Sequence, residues 1–197
     1  MNLSMLMSYV GLTLREPREM ARVIMALDWP RQMRWEALVL VSVLAVIAAQ
    51  VLQIVTGTVA MMSFLGFDVT AAVGLGLIQL FVMGLGAYAA TWLGRLAGGQ
   101  GRLDDAILLL AWLQTVLLVF QIVQIALIFL IPFLSGPIGM LAFVLSFWLL
   151  TVFVAEMHDF RSLPLVFLSI LATLVLIGLI VSMVLGVLGM QLMMGTT

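Results

Sequence analysis

The sequence contains no cysteine, no lysine and a single histidine, His158. Without cysteine there is no disulfide framework and no thiolate chemistry. Charge of either sign is scarce: charged residues make up 9% of the 197 positions, where about 25% is ordinary for a soluble domain. Five runs, 37–56, 69–93, 106–131, 138–155 and 164–190, hold no Asp, Glu, Lys or Arg at all. A water-soluble fold cannot hide 65% hydrophobic residues behind so few charges. A disordered chain or a nucleic-acid binder needs the charge that this chain lacks. The solvent is therefore lipid, and no nucleic-acid partner is expected.

What is present is length. A helix crossing the hydrocarbon core takes about 20 apolar residues, and the five runs have 20, 25, 26, 18 and 27. They are too long for barrel strands of about 10 residues. The expected fold class is all-α: a polytopic membrane helical bundle with five transmembrane helices and an N-terminal interfacial amphipathic helix. Residues 1–36 form the segment before the bundle, 37–190 the spans, and 191–197 a short external tail. Glycines in the loop 95–105 turn the chain, with Asp104 or Asp105 placed to cap the next helix. Pro132 and Pro137 bracket a six-residue turn, and Pro164 suits the first turn of the last span.

All eight basic residues fall on one side of these spans: Arg15, Arg18, Arg22, Arg31 and Arg34 before the first, Arg95 and Arg102 between the second and third, Arg161 between the fourth and fifth. Loops on the cytoplasmic side keep the arginines, so the expected orientation is N-terminus cytoplasmic and C-terminus outside. Residues 1–14 lack the basic start and small-residue cleavage site of a signal peptide. Residues 17–27 read as an amphipathic helix, with Met20, Ile24 and Leu27 on one side and Arg18, Glu19 and Arg22 on another. With Trp29 and Trp35 at headgroup level, Arg18 and Arg22 are the expected interfacial anchors. The plain role is to steady the first span; the sharper one is to sense lipid or dock a partner.

An ionisable group in mid-span would mark a proton relay or ion site, and there is none. Amides are present instead. Gln114, Gln121 and Gln124 are spaced by seven and three, Gln50 and Gln53 lie in the first span, and Gln79 lies in the second. Each amide in lipid needs a partner, which makes the Gln114 face a candidate helix seam. Small residues recur every fourth position at Gly86, Ala90 and Gly94, and again at Gly178, Ser182 and Gly186. That spacing lets backbones approach closely, so the second and fifth spans are candidates for packing on each other or across a dimer. Gly74, Gly76 and Gly84 add to the small residues of the second span.

Reactive chemistry is sparse. His158 stands between Glu156 and Asp159 at a helix end, where a solvated loop is the plain reading, and no second cluster completes a metal site. The loop 98–105 lacks the Gly-Lys-Ser/Thr ending of a phosphate loop. Met190, Met193 and Met194 are the one soft-metal candidate for copper. No cofactor and no catalytic residue is expected.

Several local features resemble a known family. Glu16-Pro17-Arg18 opens a helix before the first span, and Gly98-Gly99-Gln100-Gly101-Arg102-Leu103-Asp104-Asp105-Ala106 is a glycine-rich turn into the third. Trp148 lies in the fourth span, ahead of a short loop and a long last helix. Over about residues 15–189 the chain resembles the Yip (Ypt-interacting protein) domain family, in its bacterial branch. The resemblance implies five spans and a bacterial inner membrane. Eukaryotic members bind Rab-type GTPases and carry an Asp-Leu-Tyr-Gly-Pro motif in a long cytosolic region. That motif is absent here, so the GTPase role does not carry over. The expected function is that of a non-enzymatic membrane protein acting through helix contacts, as an accessory subunit or membrane-organising factor, with the lipid bilayer and a membrane-protein partner or homo-oligomer around it. The alternative is a small passive path for a lipid or an uncharged solute.

Overall fold

A computed structural model describes residues 3–57 and 72–194. The segment 58–71, the tail 195–197 and the surroundings of Gly186, Met190, Met193 and Met194 lie outside the described residues. Among the described residues the chain is a polytopic helical bundle of seven helices: α1 (Leu3–Arg15), α2 (Pro17–Met25), α3 (Arg31–Thr56), α4 (Ala72–Leu96), α5 (Leu103–Leu130), α6 (Pro132–His158) and α7 (Leu163–Met194). Four of them, α3 to α6, are long and apolar enough to cross a bilayer, and α7 is apolar over Leu163–Leu179.

The helix ends follow from local chemistry. Pro17 opens α2 at a position where its missing N–H costs nothing. Beside it, a side-chain hydrogen bond with Glu19 and then repulsion from that carboxylate raise the Glu16 carboxyl above its ordinary range. Gly57 closes α3 in the left-handed region (φ 72°), which glycine enters without a Cβ penalty. Asp159 does the same for α6 at φ 58°, and the Phe160 N–H reaches back to the Ala155 carbonyl at 2.8 Å.

Two boundaries differ from the sequence reading. Residues 132–137 are not a turn: α6 begins at Pro132, Pro137 lies inside it, and only Ile131 separates it from α5. Pro132 needs no hydrogen bond at the first helical position, and Pro137, six residues in, removes only one. Asp104 and Asp105 do not cap α5. Arg102 holds the cap position without a side-chain bond, and both carboxylates lie in the first turn, where the positive end of the helix favours them.

α5 is the hub, packed most extensively on α3 and α6 and also on α4 and α2. Its first half is buried, from Ala106 to Leu109, from Ala111 to Gln114, and at Val116; beyond Leu117 it is half-buried or exposed. The core therefore sits at the arginine-rich end, where Leu38 of α3, Ala87 of α4, and Leu149, Phe153 and Met157 of α6 close around α5. The last wall comes from the N-terminal segment. Met20, Ala21 and Ile24 are buried because α2 folds back on α1 and packs against α5 and α6. The apolar face read from the sequence as membrane-facing is thus spent inside the protein.

One contact ties α1 down. Trp112 of α5 donates its indole N–H to the Thr13 hydroxyl at 3.0 Å, Thr13 donates to the Tyr9 carbonyl at 2.8 Å, and the Tyr9 ring meets Trp112 edge-on at 6.4 Å. Trp112→Phe keeps a ring but loses the donor and leaves a small void. It is expected to lower stability by about 1–2 kcal/mol, read as an earlier midpoint in a dodecyl sulfate titration in mixed micelles.

Candidate functional site at the arginine-rich end

His158 is the last residue of α6, and it is 2% exposed. Glycines make the room for it. A Cβ on Gly94, at the end of α4, or on Gly99, in the following loop, would overlap the imidazole, and one on Gly101 would stand 2.6 Å from Nε2. The ring stacks on Phe160 at 5.3 Å with 11° between planes. Its Nδ1 lies 3.1 Å from the Val154 carbonyl, which can only accept, so Nδ1 is the donor of this contact. Nε2 is buried and without a hydrogen-bond partner among the described residues. The solvated-loop reading of His158 is corrected: the glycine-rich turn is shaped around its ring.

Around this cradle runs a girdle of ion pairs. Arg22 of α2 meets Glu156 of α6, Arg31 meets Asp104 at 3.4 Å, and Arg34 meets Asp105 at 3.1 Å. Arg34 also donates to the backbone carbonyls of Trp29 and Leu27, at 3.0 and 3.3 Å. Arg95 donates to the Gly101 carbonyl at 2.9 Å and so pins the glycine-rich loop. Four of the eight arginines, Arg22, Arg31, Arg34 and Arg95, are thus electrostatic fasteners between segments.

Beside the cradle, a half-open apolar cavity of about 810 Å³ separates α4 from α7, with parts of α5 and α6 as its floor. Its walls include Ala90, Leu93, Leu109, Phe153 and Ile170, and Arg161 and Ser162 stand at its arginine-rich end. The hydroxyls of Ser169 and Thr173 on its wall donate back to their own helix at 2.8 and 2.7 Å.

The sequence-marked residues distribute themselves over several neighbours. Gln114 is buried and directs its amide at the Met83 sulfur of α4, 3.7 Å away. Gln124 turns to α6, where a Cβ on Gly139 would meet its amide nitrogen at 2.6 Å; Gln121 is half-buried between them. One amide row thus serves two helices, because seven and then three residues carry it about 80° around α5. In α4, Gly76 faces Val46 and Gly84 faces Trp35, both of α3. Gly86, Ala90 and Gly94 line the cavity, and a Cβ on Gly86 or Gly178 would meet nothing within 4 Å. Among the described residues, Gly86, Ala90 and Gly94 thus border the cavity rather than the backbone of α7. Gly178 and Ser182 are exposed. Of the interfacial candidates, Arg18 and Trp29 are exposed, Arg22 is held by Glu156, and Trp35 rests against the core.

Sequence reasoning missed the cradle because its parts are 57 to 64 residues apart along the chain. The available signal was a lone histidine beside apolar Met157, in a chain whose glycines cluster at 94, 98, 99 and 101.

A family model described as the Yip1 domain matches residues 11–186. No curated protein and no solved structure matches the chain.

Proposed function

The chain belongs to the Yip1 domain family, and from that premise we propose that it is a non-enzymatic membrane protein acting through helix contacts, as an accessory subunit or a membrane-organising factor. One observation carries this reading: α7 packs chiefly on α6, while Gly178 and Ser182 stand exposed on it. At about 100° per residue, these two fall roughly 100 and 140° around α7 from the mean direction of the cavity-lining Val166, Ile170 and Ile177. They form an outward face small enough for another helix to approach closely. The ion pairs and the histidine cradle support the same reading, since the charged groups there fasten helices together. The location also belongs to this proposal: the cytoplasmic N-terminus rests on the one-sided arginines, and the bacterial inner membrane on the resemblance to the family's bacterial branch.

The test is extraction of the tagged protein from its native membrane in mild detergent, followed by sizing and mass spectrometry of what co-elutes. A stoichiometric partner, or a second copy, is expected with the wild type. Ser182→Leu, at an exposed site where bulk leaves the core untouched, is expected to release it. A wild type that elutes alone, or a Ser182→Leu protein that keeps its company, overturns the proposal. The second reading, a passive path for a lipid, is favoured by the cavity between α4 and α7.

A further inference from the structure

We infer that the cavity between α4 and α7 is a binding site for one anionic phospholipid, its acyl part against the apolar walls and its phosphate at Arg161. The site is separate from the outward face of α7 used above, so each proposal stands or falls alone.

Length argues first. Along α7 the helical wall runs from Leu165 to Ile177, and along α4 from Val82 to Gly94, with Arg161 and Ala97 just past the helix ends. At about 1.5 Å per residue each helical wall is roughly 18 Å. Half of a bilayer is about 15 Å of hydrocarbon and about 20–23 Å with headgroups, so both walls match one lipid in one leaflet. A partner helix crossing the membrane would need the full hydrocarbon thickness of about 30 Å and would project beyond the site. The volume, about 810 Å³, falls in the roughly 300–1,000 Å³ range of pockets that enclose whole ligands.

Chemistry argues second. The hydroxyls of Ser169 and Thr173 are satisfied by their own helix, so below the mouth the walls ask for an apolar chain. Arg161 is the one charged residue on the described walls. Arg22, Arg31 and Arg34 are each paired with a carboxylate, and Arg95 is engaged by a carbonyl. Arg161 has no ion pair or hydrogen bond among the described residues, and it is exposed. A free guanidinium at the rim of an apolar slot one leaflet deep is complementary to a phosphate on two acyl chains.

The experiment uses the full chain, purified in mild detergent and equilibrated with mixed micelles holding equal phosphatidylglycerol and phosphatidylcholine. After washing, retained lipid is measured by mass spectrometry. The wild type is expected to retain phosphatidylglycerol over phosphatidylcholine by about fivefold, the factor one arginine is worth near an anionic surface. Arg161→Gln is expected to keep lipid but bring that ratio to about one. Ala90→Trp, which fills the slot, is expected to retain neither; Ala172→Trp on the opposite wall serves if that variant fails to insert. Equal retention of both lipids by the wild type, or an unchanged ratio in Arg161→Gln, overturns the headgroup assignment. Undiminished lipid in the slot-filled variant overturns the site.

Discussion

Gly94→Ala is expected to cost about 2 kcal/mol of stability, although alanine is the better helix former. Within a helix, glycine to alanine is worth about 1 kcal/mol in alanine's favour. Here the added methyl overlaps the His158 ring, which is 2% exposed, stacked on Phe160 and hemmed by Gly99 and Gly101. Overpacking of this kind costs about 1–3 kcal/mol and occasionally more, and a ring closed in by backbone has little room to yield. The sign therefore goes to the overlap. His158→Ala alone opens a void and costs about 2 kcal/mol. The double variant is expected to be more stable than the sum of the two losses by at least about 1.5 kcal/mol, since each change removes the other's problem. Unfolding midpoints of the four proteins in mixed micelles measure the cycle. Simple additivity would mean that the glycine turn is not built around the ring.

Arg34→Met is the second large effect, expected at about 2–4 kcal/mol. Its side chain is 11% exposed and that of Asp105 18%. Removing the guanidinium strands a part-buried carboxylate and takes the donor from the Trp29 and Leu27 carbonyls. Stranded partners, more than the lost attraction, set the size. The neighbouring pair supplies the contrast. Arg31 is 67% exposed and lies 3.4 Å from Asp104, so Arg31→Met is expected to cost below about 1 kcal/mol. Equal losses in the two variants would show that burial is not what distinguishes these pairs.

Four long apolar helices were legible because lipid imposes a rule each segment obeys alone: about 20 apolar residues and no charge. Residues 37–56 and 106–131 announce themselves without reference to any neighbour. What could not be read is pairwise. Met20 and Ile24 make an apolar stripe that suits a membrane surface and a protein groove equally well, and only α5 and α6 in place decide between them. His158 between two carboxylates has the local look of a wet helix end, and its burial depends on Gly94 and Gly99 from another helix. The small residues of α4 point three ways: Gly76 and Gly84 to α3, Gly86 to the cavity, Gly94 to the histidine. Four-residue spacing says that something comes close, without saying what. Residues 132–137 failed for a different reason, since proline breaks a helix in its middle but is welcome at its start.

The order in which the chain is made bears on the buried face of α2. Thr13 finds Trp112 99 residues later, and Arg22 finds Glu156 134 residues later. Until the ribosome has delivered α5 and α6, Met20 and Ile24 have no protein surface to occupy. Closure of the core by α1 and α2 therefore follows the synthesis of α5 and α6.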